Sequence, residues 1–466
     1  MVYFILMPII FLIATLCVAF EEKLHINKAA IVITSAVILW AMLFIGADSI
    51  LGAGYSEEFN TLFERLKIEH NSKIDIYFAF LSKFALIQHL GDVATTLFFI
   101  IGSMLIIEIV DSHGGFRIIT DKITTRNKRT MMALICTITF FMSALLNDMA
   151  TAILMVAILR KFILNRDDRI VFCSMVIIAA NAGGSWSPIG DVTTILLWTS
   201  GNLSPAHQIS HLFIPSLFCM AIPVTISMFY FKKGETFEEL TTTEKDLIVS
   251  MLPRRVRNTI LAMGVASLAL VPLFNEFTGL PPFMGVMFGV ALLWIYTDLL
   301  YKNMKRVDAD MRRDVSRLLP KIDMSSIMFF FGILMSVAAL NTAGELTIAA
   351  DYLNKVVDDP RIISIILGVC SSFLDNVALV ASAIGMYPLQ AAGAEGLLSN
   401  FVVNSQFWTL MAFCCVTGGS ILIVGSATGV SVMGLEKISF GYYLKKFTPL
   451  AIIGYISGIL IFFLLN

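Results

Sequence analysis

Apolar runs of about 20 residues recur along this 466-residue chain. Each is long enough to cross a roughly 30 Å hydrocarbon layer as a helix. Within lipid a backbone must satisfy its own hydrogen bonds, so runs of this kind fold as helices. The composition agrees: 57% of residues are hydrophobic and 14% charged, against roughly 25% charged in a soluble domain. The chain reads as an all-α polytopic membrane protein. Spans are expected at 3–20, 28–46, 92–110, 168–200, 209–231, 257–275, 282–300, 325–343, 404–434 and 447–465. Two further apolar blocks occupy 130–164 and 361–390. The stretches 168–200 and 404–434 exceed a simple crossing, and glycine interrupts both.

The net charge of −1 says little about partners, but the placement of charge says more. Of the 33 Lys and Arg, all but Arg65, Lys67, Lys73, Lys83, Lys355 and Arg361 fall in the loops 21–28, 111–130, 160–169, 232–257, 301–321 and 435–447. The positive-inside rule then makes those loops cytoplasmic and both termini external, in a bacterial cytoplasmic membrane. Block 130–164 carries basic residues at both ends, so it returns to the side it left. Either two full helices cross and return, or a re-entrant hairpin dips in. Block 361–390 has both ends outside under the same topology. Residues 56–70 place Phe59, Leu62, Phe63 and Leu66 at helical spacing, the pattern of an amphipathic helix on the membrane surface. Segments 111–129 and 344–357 read as similar interfacial pieces, and the linkers 232–256 and 301–323 are too short and polar to be domains.

Several classes are disfavoured. The basic residues lack the aromatic interleaving of a nucleic-acid surface, so no nucleic acid is expected. All seven cysteines sit in apolar segments as expected free thiols, with no zinc or disulfide spacing. The first 20 residues lack a basic start, so a cleavable signal peptide is not expected. No nucleotide loop or hydrolase motif is present, so an enzyme is not expected.

A motif occurs twice with its polar pair exchanged: SALLNDMA at 143–150 and SSFLDNVA at 371–378. Asn147-Asp148 and Asp375-Asn376 thus lie in the middle of apolar blocks, where an ionisable group costs a few kcal/mol or more. Two other blocks also recur. LFFIIGSMLIIEIVDSHGG (97–115) resembles MFFFGILMSVAALNTAGE (328–345), matching Gly102 with Gly332 and Gly114 with Gly344. GGSWSPIGDVTT (183–194) resembles GGSILIVGSATG (418–429), matching Gly190 with Gly425 and Thr193 with Thr428. Three blocks in one order describe an internal repeat. An odd number of crossings separates its halves, so the second half is expected to be inverted. Such repeats with interrupted helices place ion sites near the bilayer midplane. The expected division is 1–91 scaffold helices with an external amphipathic segment, 92–231 first repeat, 232–324 linker and scaffold helices, and 325–466 second repeat. Hairpins at 130–164 and 361–390 and broken helices at 168–200 and 404–434 complete the expected fold.

The helix breaks are expected at Gly183, Gly184, Pro188 and Gly190 in one half and Gly418, Gly419 and Gly425 in the other. Backbone freed there is tolerated only facing protein or a cavity. Asp191, Thr193, Thr194 and Asn181 lie on or beside the first break, and Ser420, Ser426 and Thr428 on the second. With Asn147, Asp148, Asp375 and Asn376 they supply carboxylate, amide and hydroxyl oxygen, the ligands of a hard cation. No Lys, Arg or His stands within these motifs. The set suits Na⁺ or Li⁺, with Asp148, Asp191, Asp375 and Asn376 as the expected Na⁺ site. A carboxylate that holds a cation also holds a proton, so one site binding either ion would couple the two fluxes as antiport.

The segments 89–123, 177–198, 371–389 and 417–434 resemble the NhaD-type sodium/proton antiporters of the ion transporter superfamily, most specifically in NAGGSWSPIGDVTT. The resemblance covers the chain from about residue 85 to its end. It implies that Asn181, Asp191, Thr193, Thr194, Ser371 and Asn376 take part in ion binding or transport. It further implies a moving domain of hairpins and broken helices, elevator-like motion, a homodimer held through a separate scaffold, and no cofactor beyond the transported Na⁺, Li⁺ and H⁺. In the family the first hairpin motif usually reads Asp-Asn. Here it reads Asn147-Asp148, so either the local structure keeps the usual role or Asp148 takes a different one. Na⁺-coupled dicarboxylate uptake is the alternative within the superfamily. Asp148 and Asp375 would repel an anion, which argues against it. A channel or scaffold fits an inverted repeat with two hairpins less well.

Overall fold

The computed structural model describes residues 2–19, 21–69, 72–116, 125–237, 252–303, 315–357 and 359–466. The central parts of both charged linkers, and residues 117–124 of the interfacial piece 111–129, lie outside the described residues. The described chain is helical, with isolated backbone bridges joining Asn127 to Thr236 and Gln390 to Val402.

Among the described residues four longer helices precede the first hairpin: α1 (Val2–Ala19), α2 (Lys28–Ile45), α3 (Glu57–Glu69) and α4 (Lys73–Ser112). α4 is a single 40-residue helix with one π turn at Phe80–Ala85, far longer than the span expected at 92–110. The division placed after residue 91 therefore falls inside a helix. Gly91 costs a helix only about 1 kcal/mol, and packing outweighs it. The sequence pattern puts α3 on the membrane surface, but the structure packs its apolar face on protein. Phe59 and Leu66 are buried, and the Phe59 ring lies 5.4 Å from Tyr77 and 5.1 Å from Phe80. Burial against α4 removes the same apolar area from water without lipid.

The first polar pair separates α5 (Lys128–Leu146) from α6 (Asp148–Phe162). Both outer ends lie at the start of α7 (Arg166–Ser185), where Lys128 pairs with Asp168 at 2.7 Å and Arg169 donates to the Ile163 carbonyl at 2.9 Å. The block is a hairpin turning at Asn147. After a break the chain resumes as α8 (Val192–Thr199) and continues into α9 (Pro205–Ser227). Next come α10 (Arg254–Ala269) and α11 (Val271–Thr278), where one span is expected at 257–275. They bend by 46°. Pro272 at the joint has no N–H to continue the helical ladder.

The remaining longer helices among the described residues are α12 (Pro282–Asn303), α13 (Met324–Ala343), α14 (Glu345–Val356), α15 (Pro360–Cys370), α16 (Asn376–Met386), α17 (Gln406–Gly418), α18 (Ala427–Glu436) and α19 (Thr448–Leu465). α15 and α16 form the second hairpin. Arg361 reaches Gln406 at 3.4 Å, and the Tyr387 ring packs on Phe401 and Phe407, so both outer ends sit at the start of α17.

The helices sort into two packed groups. One holds α1, α2, α4, α10, α12 and α13; the other holds α5–α9 and α15–α19. In the first group α2 packs on α13 and α12 on α4. A Cβ on Gly332 would lie 2.7 Å from the Ile33 nitrogen, and one on Gly102 would lie 2.6 Å from Val286 Cγ1, so these matched glycines set both crossings. The matched pair Gly114 and Gly344 end α4 and α13 at φ of 71° and 83°, where glycine is unstrained. All seven cysteines are free, five of them buried.

Glu345 opens α14. It is buried, and neither carboxylate oxygen has a hydrogen-bond partner among the described residues. Burial pushes its carboxyl up to about 8 from 4.5. A raised folded-state value means that the unfolded chain ionises first, so stability falls as pH rises from 4.5 to about 8 and stays low above. Glu345→Gln removes that loss. Thermal unfolding in detergent is expected to give the variant a Tm higher by roughly 2–4 °C at pH 9 and equal at pH 5. Equal Tm values at pH 9 would count against an ionisation cost at this position.

Candidate functional site

The two hairpin turns share one design. Asn147 caps α6, accepting from the Met149 N–H at 3.1 Å, and Asp375 caps α16, accepting from the Val377 N–H at 2.9 Å. In both pairs the first residue is half-buried and faces its own helix. The second residue of each is buried and reaches the broken helix of the other half. Asp148 Oδ2 accepts from Thr428 Oγ1 at 2.7 Å, and Asn376 Nδ2 donates to Asp191 Oδ2 at 2.8 Å.

This division of labour gives the exchanged pair a physical meaning. Asn and Asp cap a helix about equally well, so the order costs little locally. It decides which group faces inward. Asp148 sends a carboxylate towards Thr428, whereas Asn376 sends an amide towards Asp191.

Further oxygen surrounds these contacts. Asp191 begins α8 and is 4% exposed. The buried Thr193 hydroxyl lies beside its carboxylate, and Thr194 Oγ1 donates to its carbonyl at 2.9 Å. Asn181 donates to Ser420 Oγ at 2.8 Å and to Ser426 Oγ at 3.2 Å, joining the broken helices, while its own Oδ1 is buried without a partner among the described residues. Ser371 donates to the Cys415 carbonyl at 2.6 Å, as its counterpart Ser143 does to the Ala180 carbonyl at 2.5 Å. These serines clamp each hairpin to the long half of its broken helix.

The three acids expected to share a Na⁺ do not converge. Among the described residues no three Asp, Glu, His or Cys side chains come close enough to hold one ion. Asp375 is engaged in capping and Asp148 turns to Thr428; of the expected four, Asp191 and Asn376 touch. Asp148, Asp191, Asp375 and Asn376 nevertheless line one cavity of about 380 Å³. It runs between α6, α4 and α13 to Glu108, Lys321 and Asp323.

The breaks also differ from expectation. Gly183 and Gly184 remain inside α7, and Gly418 is the last residue of α17. Their role is close approach: a Cβ on Gly183 would overlap the Phe140 carbonyl, and one on Gly418 the Gly368 carbonyl. Unwinding is confined to 186–191 and 419–426, which hold Pro188, Gly190, Gly419 and Gly425. Several carbonyls freed at and beside the breaks find protein donors. Gln208 Nε2 donates to the Ser185 and Ser187 carbonyls, both at 3.1 Å, and the Asp148 N–H donates to the Gly190 carbonyl at 2.9 Å. Tyr443 and Thr448 donate to the Ser420 and Ile421 carbonyls at 2.8 and 2.6 Å. Sequence reasoning passed over Gln208, Tyr443 and Thr448. The available signal was a polar group in a membrane segment with no partner in its own helix.

A family model described as "Citrate transporter" matches residues 15–403. The chain belongs to the citrate transporter family. Its relatives bear out the resemblance to the NhaD antiporters. "Sodium/proton antiporter 2" of Arabidopsis thaliana is 34% identical over 455 residues, covering 97% of this chain and 98% of the relative. "Sodium/proton antiporter 1" of the same plant is 36% identical over 456 residues, covering 97% and 71%. "Na(+)/H(+) antiporter NhaD" of Vibrio cholerae is 27% identical over 484 residues, covering 98% and 91%. As a member of a transporter family with seven helices long and apolar enough to span a membrane among its described residues, this chain is a multi-pass transporter rather than an enzyme.

The glycine contacts yield a direct check. Gly418→Ala must displace the Gly368 backbone, whereas Gly434→Ala enters open space. The first is expected to cost about 1–3 kcal/mol and the second to be neutral or stabilising by up to about 1 kcal/mol, read as thermal stability of the purified protein. Equal stability of the two variants would contradict the close hairpin crossing.

Proposed function

We propose that this chain exchanges Na⁺ or Li⁺ for H⁺ across a bacterial cytoplasmic membrane, the ions competing for Asp148 and Asp191. The observation that carries this reading is that both acids are buried and held by neutral donors, with no Lys, Arg or His pairing with either among the described residues. An isolated buried charge is costly, so such a carboxylate is stable with a proton or with a bound cation. Occupancy by one ion excludes the other, and exchange follows if the site meets each side of the membrane in turn. Asn181, Thr193, Ser420, Ser426 and Thr428 supply neutral oxygen for a hard cation. The names of the Arabidopsis and Vibrio relatives point the same way.

Alternating access has a matching architecture. The reciprocal contacts Asp148–Thr428 and Asn376–Asp191, and the exchanged pairings α2–α13 and α12–α4, support an inverted repeat. The group of hairpins and broken helices would move as a body against α2, α4, α12 and α13, an elevator-like motion within a homodimer held through that second group. Both termini would lie outside, with a role in sodium and pH homeostasis.

The family's description favours a second reading, coupled transport of a carboxylate anion. Three acids at the inner end of the cavity oppose it electrostatically.

The test is dye-reported ΔpH in everted vesicles from a host without its own antiporters. Na⁺ and Li⁺ are expected to dissipate ΔpH, and K⁺, citrate and succinate to leave it. Asp148→Asn and Asp191→Asn should each abolish the response. Asp375→Asn, which keeps the helix cap, should retain it within about threefold. A response to citrate or succinate without one to Na⁺ would overturn the reading.

A further inference from the structure

Glu108 stands one turn before the end of α4, where the cavity opens outward. Its Oε1 accepts from Lys321 Nζ at 3.0 Å and from Ser112 Oγ at 2.8 Å, and Lys321 Nζ also lies 3.3 Å from Ser112 Oγ. Asp111 and Asp323 line the same mouth. Asp148, Asp191 and Asp375 lie at the inner end. Among the described residues that line this cavity, Lys321 is the only cation.

We infer that the mouth between α4 and α13 is the cation's entry route, and that Lys321 sets the apparent Na⁺ affinity by competing for Glu108 as a tethered cation. The identity of the ion rests on the antiport reading; the route and its charge dependence do not. A cleft lined by one sign of charge concentrates the opposite ion. The acids that line this cleft favour a cation at its mouth, beside Glu108 and Asp323, and the Lys321 ammonium there subtracts from that attraction. The Lys321 side chain is 52% exposed and that of Glu108 25%. An ion pair so exposed is weak, so the pair opens readily and acts as a valve. Glu108, Asp111 and Lys321 at the mouth adjoin or belong to the segments 111–130 and 301–321 in the sequence. Those segments are rich in basic residues, so everted vesicles should present the mouth to the bath.

A purely structural tie between α4 and α13 predicts something different. Losing either partner would then have the same effect, whereas a role through charge reverses sign. Two readouts separate these. The first is labelling of Ala157→Cys, on the α6 wall of the cavity, by a cationic and by an anionic methanethiosulfonate reagent at low ionic strength. Lys321→Met is expected to speed the cationic reagent roughly threefold to tenfold and slow the anionic one. Glu108→Gln should do the reverse, Lys321→Arg should match the parent, and the double variant should lie near the parent. In 0.5 M choline chloride the differences should collapse, because the Debye length falls to a few Å. The second readout is Na⁺-dependent ΔpH dissipation, where Lys321→Met should lower KM and Glu108→Gln raise it, with the change in KM rather than Vmax. Equal labelling rates in all backgrounds with both reagents, or the same direction of change for Lys321→Met and Glu108→Gln, would overturn the inference. Charge-dependent labelling in a protein that moves no protons with Na⁺ would uphold the route and sink the antiport reading alone.

Discussion

Asp148 and Asp191 are each held by one neutral side-chain donor, Thr428 and Asn376, across the junction of the two halves. The surrounding structure is arranged to make those two contacts possible. A buried carboxylate without a counter-cation needs fixed dipoles and oxygen-rich surroundings. Here the N-terminal ends of α6, α8, α16 and α18 meet at the site, and their partial positive charge favours anions. Helix ends can meet in mid-membrane only if two helices break and two hairpins turn there. Each break in turn needs donors for its carbonyls, which Gln208, Tyr443 and Thr448 provide from neighbouring segments.

The same logic explains where the structure is tight. Gly183 and Gly418 let the hairpin backbones touch the broken helices, and Ser143 and Ser371 lock the contact to main-chain carbonyls. At the mouth of the first hairpin, the buried Glu436 lies between Arg160 at 2.6 Å and Arg169 at 2.8 Å, tying the end of α18 to α6 and α7. Hairpins and broken helices are therefore cross-linked into one body. The cavity runs where that body meets α4 and α13, so movement between the two groups would reshape the ion's surroundings without disturbing the contacts that build the site.

Much of this was legible because membrane physics restricts the choices. Apolar runs fix helices, and a repeated motif marks matched positions. Polar residues inside those runs mark the candidate site, since Asn147, Asp148, Asp375 and Asn376 stand in apolar segments where an ionisable or amide group is costly. The misreadings share one cause. Gly183 and Gly184 read as breaks because glycine is compatible both with unwinding and with close helix contact, and sequence cannot tell which. Lys73–Ser112 read as a shorter span because Gly91 and Asp92 look like a boundary when their packing partners are unknown. The apolar face of α3 read as lipid-facing because burial against Tyr77 and Phe80 leaves the same pattern as burial in a bilayer.

The sequence by itself determined the helical membrane class, the two hairpins, the two interrupted helices and the oxygen-rich set of residues, because each follows from local chemistry and the solvent that surrounds it. Only the tertiary structure decided which member of each polar pair faces inward, which freed carbonyls are already satisfied, and that Asp375 caps a helix while Asp148 reaches Thr428. Those outcomes depend on which residue of the other half lies within about 3 Å, the reach of a hydrogen bond. Residues 185 and 280 positions apart in the chain meet there, and no spacing within either motif encodes the distance between them.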